Sequence, residues 1–164
     1  MDPLVLRGSA ERNFDDLDAD EDGYLTRNDY LALAHLRIQR AGVRADSPEG
    51  EAVVEAFLNT WDTHVSALDA DRDGRISREE YVESFQALVR TGALEGVLHP
   101  MFRATFDLAD HDRDGELTAE EFRLLWTRDD GLTAAFRSAD ADGDGRITFE
   151  EYARLRQGIL VGDL

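Results

Sequence analysis

Asp140-Ala141-Asp142-Gly143-Asp144-Gly145-Arg146-Ile147-Thr148-Phe149-Glu150-Glu151 decides how this 164-residue chain is read, because its pattern occurs three times more. Asp-x-Asp-x-Asp-Gly recurs at Asp18-Asp20-Asp22-Gly23, at Asp69-Asp71-Asp73-Gly74 and at Asp110-Asp112-Asp114-Gly115. Two residues past each Gly stands an aliphatic side chain (Leu25, Ile76, Leu117, Ile147), followed by a hydroxyl (Thr26, Ser77, Thr118, Thr148). The twelfth residue of each unit is acidic: Asp29, Glu80, Glu121 and Glu151. Aspartate is a poor helix and strand former, so three at alternate positions, four times over, need a purpose other than solubility.

The flanks of each unit are helical. Apolar residues stand four and one before the first Asp: Phe14 and Leu17, Val65 and Leu68, Phe106 and Ala109, Phe136 and Ala139. An aromatic follows each twelfth residue: Tyr30, Tyr81, Phe122 and Tyr152. These positions recur at helical spacing and predict an all-α protein with a shared core.

Each unit resembles the twelve-residue calcium loop of EF-hand proteins, and each element has a physical task. Calcium is a hard cation that takes about six to eight oxygens at roughly 2.3–2.6 Å. The three Asp wrap short carboxylates around one point, and the sixth-position Gly turns the chain back over the ion. The seventh residue offers its backbone carbonyl, so Tyr24, Arg75, Glu116 and Arg146 are tolerated there. The ninth-position hydroxyl is expected to act through a water, and the twelfth carboxylate reaches in from the exiting helix. The eighth-position aliphatic forms a short bridge to a partner loop. In the first loop Asp29 is one methylene shorter than Glu, which lowers the coordination number and admits Mg²⁺ beside Ca²⁺.

The loops start at 18, 69, 110 and 140, so the first connection is long and the last short. Gly42 ends one helix, and Ser47-Pro48-Glu49 reads as cap, first helical residue and early acid of the next. Gly92 and Gly96 around Leu94 suggest a joint between the halves, with Pro100 near the start of the following helix. The expected organisation is an N-terminal pair over 1–91 and a C-terminal pair over 92–164, packed compactly. Over residues 10–160 the chain resembles the calerythrin and sarcoplasmic calcium-binding protein family. The long first connection, Asp18 to Asp29 with its short twelfth side chain, and the apolar end carry the likeness. The resemblance implies a compact bacterial buffer of Ca²⁺ and Mg²⁺, usually with one dead loop. Here Asp69, Asp71, Asp73 and Glu80 leave the second loop intact, so up to four Ca²⁺ are expected.

Composition bounds the rest. The net charge is −18, and 22 of the 36 acids are Asp. The four loops hold −15 of that charge; the remaining 116 residues carry only −3. Such a chain is repelled by nucleic acid and by anionic membranes, and no run approaches the roughly 20 apolar residues of a membrane span. There is no Cys, hence no disulfide and no thiolate site. All 18 basic residues are Arg, which points to a GC-rich, actinobacterium-like genome. The start, Met1-Asp2-Pro3-Leu4-Val5-Leu6-Arg7, lacks the features of a secretory signal, and a cytoplasmic monomer is expected.

No enzyme is expected either. His35, His64, His99 and His111 are scattered, and no nucleophile has a local signature. Calcium buffering is the leading reading. A sensor that changes shape and binds a protein target is the alternative, although Met1 and Met101 alone make no adaptable Met-rich groove. Trp61 and Trp126 are read as core. The tail Gly158-Ile159-Leu160-Val161-Gly162-Asp163-Leu164 either frays or docks between the hands.

Overall fold

The structure is a computed structural model that describes residues 3–126 and 131–162. The readings at Met1, Asp2, Asp163 and Leu164 fall outside those residues. Among the described residues eight helices and four two-residue strands follow one another: α1 (Pro3–Leu17), β1 (Tyr24–Leu25), α2 (Arg27–Arg40), α3 (Pro48–Leu68), β2 (Ile76–Ser77), α4 (Arg78–Thr91), α5 (Leu94–Ala109), β3 (Glu116–Leu117), α6 (Ala119–Leu125), α7 (Leu132–Ala139), β4 (Ile147–Thr148) and α8 (Phe149–Val161).

The strands join the loops in antiparallel pairs. Leu25 faces Ile76 between β1 and β2, and Leu117 faces Ile147 between β3 and β4. All four side chains are fully buried. A two-residue ladder is too short to hold two helix pairs together, so the helices must do so. Phe14, Leu68, Phe106 and Ala139 from the entering helices meet Tyr30, Tyr81, Phe122 and Tyr152 from the exiting helices in one core. That core runs continuously from α1 to α8, and Ala34, Ile38, Val53, Phe57 and Leu108 form a second cluster where α2, α3 and α5 meet.

Local signals account for the long first connection. Gly42 adopts φ 68° just past the end of α2, and Ser47 caps α3 by accepting the Gly50 N–H at 3.1 Å, with Pro48 leading the helix. Along α3 the buried residues Val53, Phe57, Trp61, His64 and Leu68 follow helical spacing. Gly92, at φ 71°, closes α4.

Two expectations are corrected. Gly96 and Pro100 lie inside α5, not at a joint or a helix start. The stripe Leu94, Leu98, Phe102, Phe106 is buried from its first residue. Burial of each such side chain is worth about 1.5–3 kcal/mol, against about 3 kcal/mol for one interior proline. The other correction concerns the tail. Gly158 to Val161 continue α8 and do not lie beyond it. The Leu160 carbonyl accepts the Asn13 side-chain amide at 2.9 Å, Val161 is buried, and Gly162 turns the chain at φ 81°. The tail therefore docks on α1.

The buried histidine dictates a pH dependence. His64 is 4% exposed, its Nδ1 lies 2.5 Å from the Tyr30 hydroxyl, and burial lowers its pKa to about 4. The unfolded chain takes up this proton near pH ~6.5 and the folded chain only near 4. The contribution of His64 is thus complete above about pH 6.5 and is lost as pH falls toward 4, about 3 kcal/mol in all. Denaturant titrations of wild type and His64→Gln between pH 7 and 4, in chelator, are expected to diverge in slope, with the variant the flatter.

Candidate metal centre

Each site is built by one backbone path repeated four times. The fourth loop residue adopts a left-handed conformation in every case: Glu21 (φ 58°), Arg72 (61°), Arg113 (60°) and Gly143 (77°). The sixth residue does so as well, at Gly23, Gly74, Gly115 and Gly145. These turns aim N–H groups at the first Asp. Asp18 Oδ2 accepts from Gly23 at 2.9 Å, Asp69 Oδ2 from Gly74 at 2.9 Å, Asp110 Oδ2 from Gly115 at 2.9 Å and Asp140 Oδ2 from Gly145 at 3.1 Å. The fifth Asp accepts the N–H of the seventh residue: Asp22 from Tyr24, Asp73 from Arg75, Asp114 from Glu116 and Asp144 from Arg146.

The twelfth residue ties the loop shut. One oxygen of Glu80 accepts from Ala70 N–H at 2.9 Å; the other accepts from the N–H and the hydroxyl of Ser77 at 2.8 and 2.7 Å. Glu121 repeats this with His111 and Thr118, and Glu151 with Ala141 and Thr148. The shorter Asp29 makes the same three bonds, to Ala19 and twice to Thr26. Its own N–H differs: it donates to the Thr26 carbonyl at 3.2 Å, whereas those of Glu80, Glu121 and Glu151 donate to the ninth-position hydroxyl. The ninth-position hydroxyl, expected to act through a water, is in this structure the N-cap of the exiting helix. The signal was visible as Ser/Thr-x-x-Glu, the capping box.

The carboxylates converge. Oxygens of Asp18, Asp20 and Asp22, and likewise of Asp69, Asp71 and Asp73, lie within 4.8 Å of one another. In the third and fourth loops the converging sets are Asp110, Asp112 and Glu121, and Asp140, Asp142 and Glu151. Hard oxygen donors gathered this closely fit a divalent cation such as calcium. Crowding is felt at Asp20, whose pKa is raised by burial and by the charges of Asp29, Asp22 and Asp18, against the Asp22 N–H. Burial would also raise Glu80, Glu121 and Glu151, but the hydrogen bonds from the ninth and second residues outweigh it and hold each below its ordinary value.

Side chains at the seventh position connect partner loops, which the spacing alone did not disclose. The Arg75 guanidinium lies 4.2 Å over the Tyr24 ring, and Arg146 Nη1 donates to Asp114 Oδ2 at 2.6 Å with Glu116 Oε2 3.9 Å from its Nε.

The profile of the EF-hand domain pair matches residues 9–86, 65–127 and 99–156. The chain is an EF-hand protein, and it binds calcium through EF-hands. Calerythrin of Saccharopolyspora erythraea is 25% identical over 125 residues, covering 74% of this chain and 71% of calerythrin. The sarcoplasmic calcium-binding protein beta chain of Penaeus sp. is 30% identical over 112 residues, 65% of this chain and 58% of that one. A solved Streptomyces coelicolor calcium-binding protein superposes with TM-score 0.78 at 26% identity, covering 95% of this chain and 98% of that one. These matches are to calcium-binding proteins and agree with a chain that is not an enzyme. Among the described residues no helix is long and apolar enough to cross a membrane.

The capping boxes carry a stability that needs no metal. Ser77→Ala removes a donor to Glu80 and an acceptor for its N–H, and is expected to cost about 1 kcal/mol. Chemical denaturation in excess chelator, with Arg72→Ala as a surface control, measures it.

Proposed function

We propose that the protein buffers Ca²⁺ with all four loops. In this reading the first ion is held by Asp18, Asp20, Asp22, Asp29 and the Tyr24 carbonyl, and the second by Asp69, Asp71, Asp73, Glu80 and the Arg75 carbonyl. The third takes Asp110, Asp112, Asp114, Glu121 and the Glu116 carbonyl, and the fourth Asp140, Asp142, Asp144, Glu151 and the Arg146 carbonyl. Residues 1–91 and 92–164 act as the two paired-hand units of a cytoplasmic monomer. Four Ca²⁺ would bring the formal charge from −18 to about −10.

One observation favours a buffer over a sensor: the apolar faces of the hands are buried against each other. Among the described residues the exposed large hydrophobics are Leu4, Val5 and Leu36 alone, which leave no groove for a target helix. A sensor role is the second reading, and it draws on the Streptomyces coelicolor neighbour, which is described in terms of calcium-mediated regulation. The two separate on calcium addition. A buffer gains no apolar surface, keeps its scattering profile and binds at roughly 10⁻⁹–10⁻⁸ M; a sensor gains dye binding near roughly 10⁻⁷–10⁻⁵ M.

Calorimetry with Ca²⁺ is expected to return four equivalents. Because the folded chain alone gathers the carboxylates, each site adds about 2.7 kcal/mol when free ion is about 100 times its dissociation constant. The melting temperature should therefore rise steeply from chelator to calcium; superimposable melting curves would refute metal-coupled folding.

The first loop is where Mg²⁺ competes. Asp29 is 2% exposed and already fully engaged, so the loop closes on a shorter arm. Asp29→Glu is expected to raise calcium-over-magnesium preference at one site only, read by calcium titration with and without Mg²⁺.

A further inference from the structure

A partly open cavity of about 210 Å³ lies between the N-terminal and C-terminal hands, apart from the four loops. Its wall is largely apolar: Leu98, Met101 and Phe102 of α5 face Leu33 of α2 and Phe57 of α3. The Tyr30–His64 hydrogen bond and Tyr81 form another part of the wall, where His64 is neutral at pH 7 because burial holds its pKa near 4. Two guanidiniums also line the cavity, Arg37 of α2 and Arg156 of α8.

Neither guanidinium has an ion-pair partner among the described residues. Among those residues no carboxylate lies within 4.0 Å of either. Asp16 is the one carboxylate in the lining; it is exposed, forms no ion pair with either, and its charge only partly offsets the effect of burial on Arg37. Among the described residues Arg37 makes one bond, of 3.3 Å, to the Leu125 carbonyl. Burial, and then the neighbouring charge of Arg156, push Arg37 below its ordinary pKa. Arg156 Nε is buried with no hydrogen-bond partner, and its guanidinium sits 5.8 Å over the Phe102 ring. Half-buried like charges lining one cavity, one with an unmet donor, cost stability unless an anion joins them. Guanidiniums are suited to bind a carboxylate through paired N–H groups.

We propose that this cavity binds a small amphipathic organic acid, its carboxylate between Arg37 and Arg156 and its aromatic or aliphatic body against Leu98, Met101 and Phe102. The volume admits one small molecule and falls below the ~300–1,000 Å³ usual for drug-sized ligands. The site is distinct from the calcium loops: it uses none of their carboxylates, and it stands whether the chain buffers or senses calcium.

Phenylbutyrate and its neutral counterpart phenylbutanol test the idea on the full chain in excess Ca²⁺, by calorimetry and by chemical shifts of the Leu98 and Met101 methyl groups. One phenylbutyrate per chain is expected, at least about tenfold tighter than the alcohol, since a charge-assisted pair is worth about 1.5–3 kcal/mol. Arg156→Met should bring the acid down to the affinity of the alcohol and leave the alcohol unchanged. In ligand-free protein the same substitution should raise the melting temperature, because an uncompensated charge leaves the interior. Arg37→Met gives the same loss of acid binding and serves if the first variant does not fold. Equal affinities for acid and alcohol would overturn the proposal. So would shifts confined to the surface, no saturable binding, or unchanged acid affinity in the Arg variants.

Discussion

Everything in this molecule hangs on the carboxylate at the twelfth loop position. One of its oxygens takes the N–H of the second loop residue and the other takes the N-cap of the exiting helix, so a single side chain fixes the distance between loop start and helix start. The angle between entering and exiting helices is thereby set within each hand, and with it which faces are free to pack. Repulsion among the loop acids opposes closure, and backbone N–H groups aimed inward oppose the repulsion. At Glu80, Glu121 and Glu151 the hydrogen bonds outweigh burial and lower the pKa; at Asp20 burial, helped by the charges of Asp29, Asp22 and Asp18, raises it.

Packing then turns four hands into one body. Leu25, Ile76, Leu117 and Ile147 register the loops in pairs, and the aromatics one residue past each closing carboxylate carry that register into the core. Helix α5 is central here. It begins after only two intervening residues past α4, packs along α3, and leads directly into Asp110 of the third loop, so it ties one pair of loops to the other. The docked end of α8 closes the remaining side by bonding to α1.

Much of this was legible in the residues. The loop pattern is local, and each loop carboxylate sits at a fixed offset from a Gly, so spacing alone delimited the loops from Asp69 to Glu80 and from Asp140 to Glu151. Caps at Ser47 and breaks at Gly42 and Gly92 are likewise local. What escaped was long-range or hidden behind an averaged rule. Pro100 read as a helix start because its missing N–H is a local cost, whereas the stripe from Leu94 to Phe106 that outweighs it is buried by partners distant in sequence. His64 looked like one scattered histidine until α3 placed it on the same face as Phe57, Trp61 and Leu68. The left-handed fourth loop position shows openly only at Gly143, since Glu21, Arg72 and Arg113 occupy it without being glycine. The clustering of Arg37 with Arg156 joins α2 to α8 and has no signature in the chain at all.

The placement of the two tryptophans has an optical consequence. Trp61 lies 5.5 Å from the Tyr30 ring, and Tyr30 directly follows Asp29; Trp126 stacks at 5.9 Å on Phe122, which directly follows Glu121. Each half of the molecule thus holds one indole against the aromatic neighbour of a loop-closing carboxylate. Light absorbed and emitted by the protein itself can report on the two halves separately, once either Trp is replaced by Phe, without any label attached.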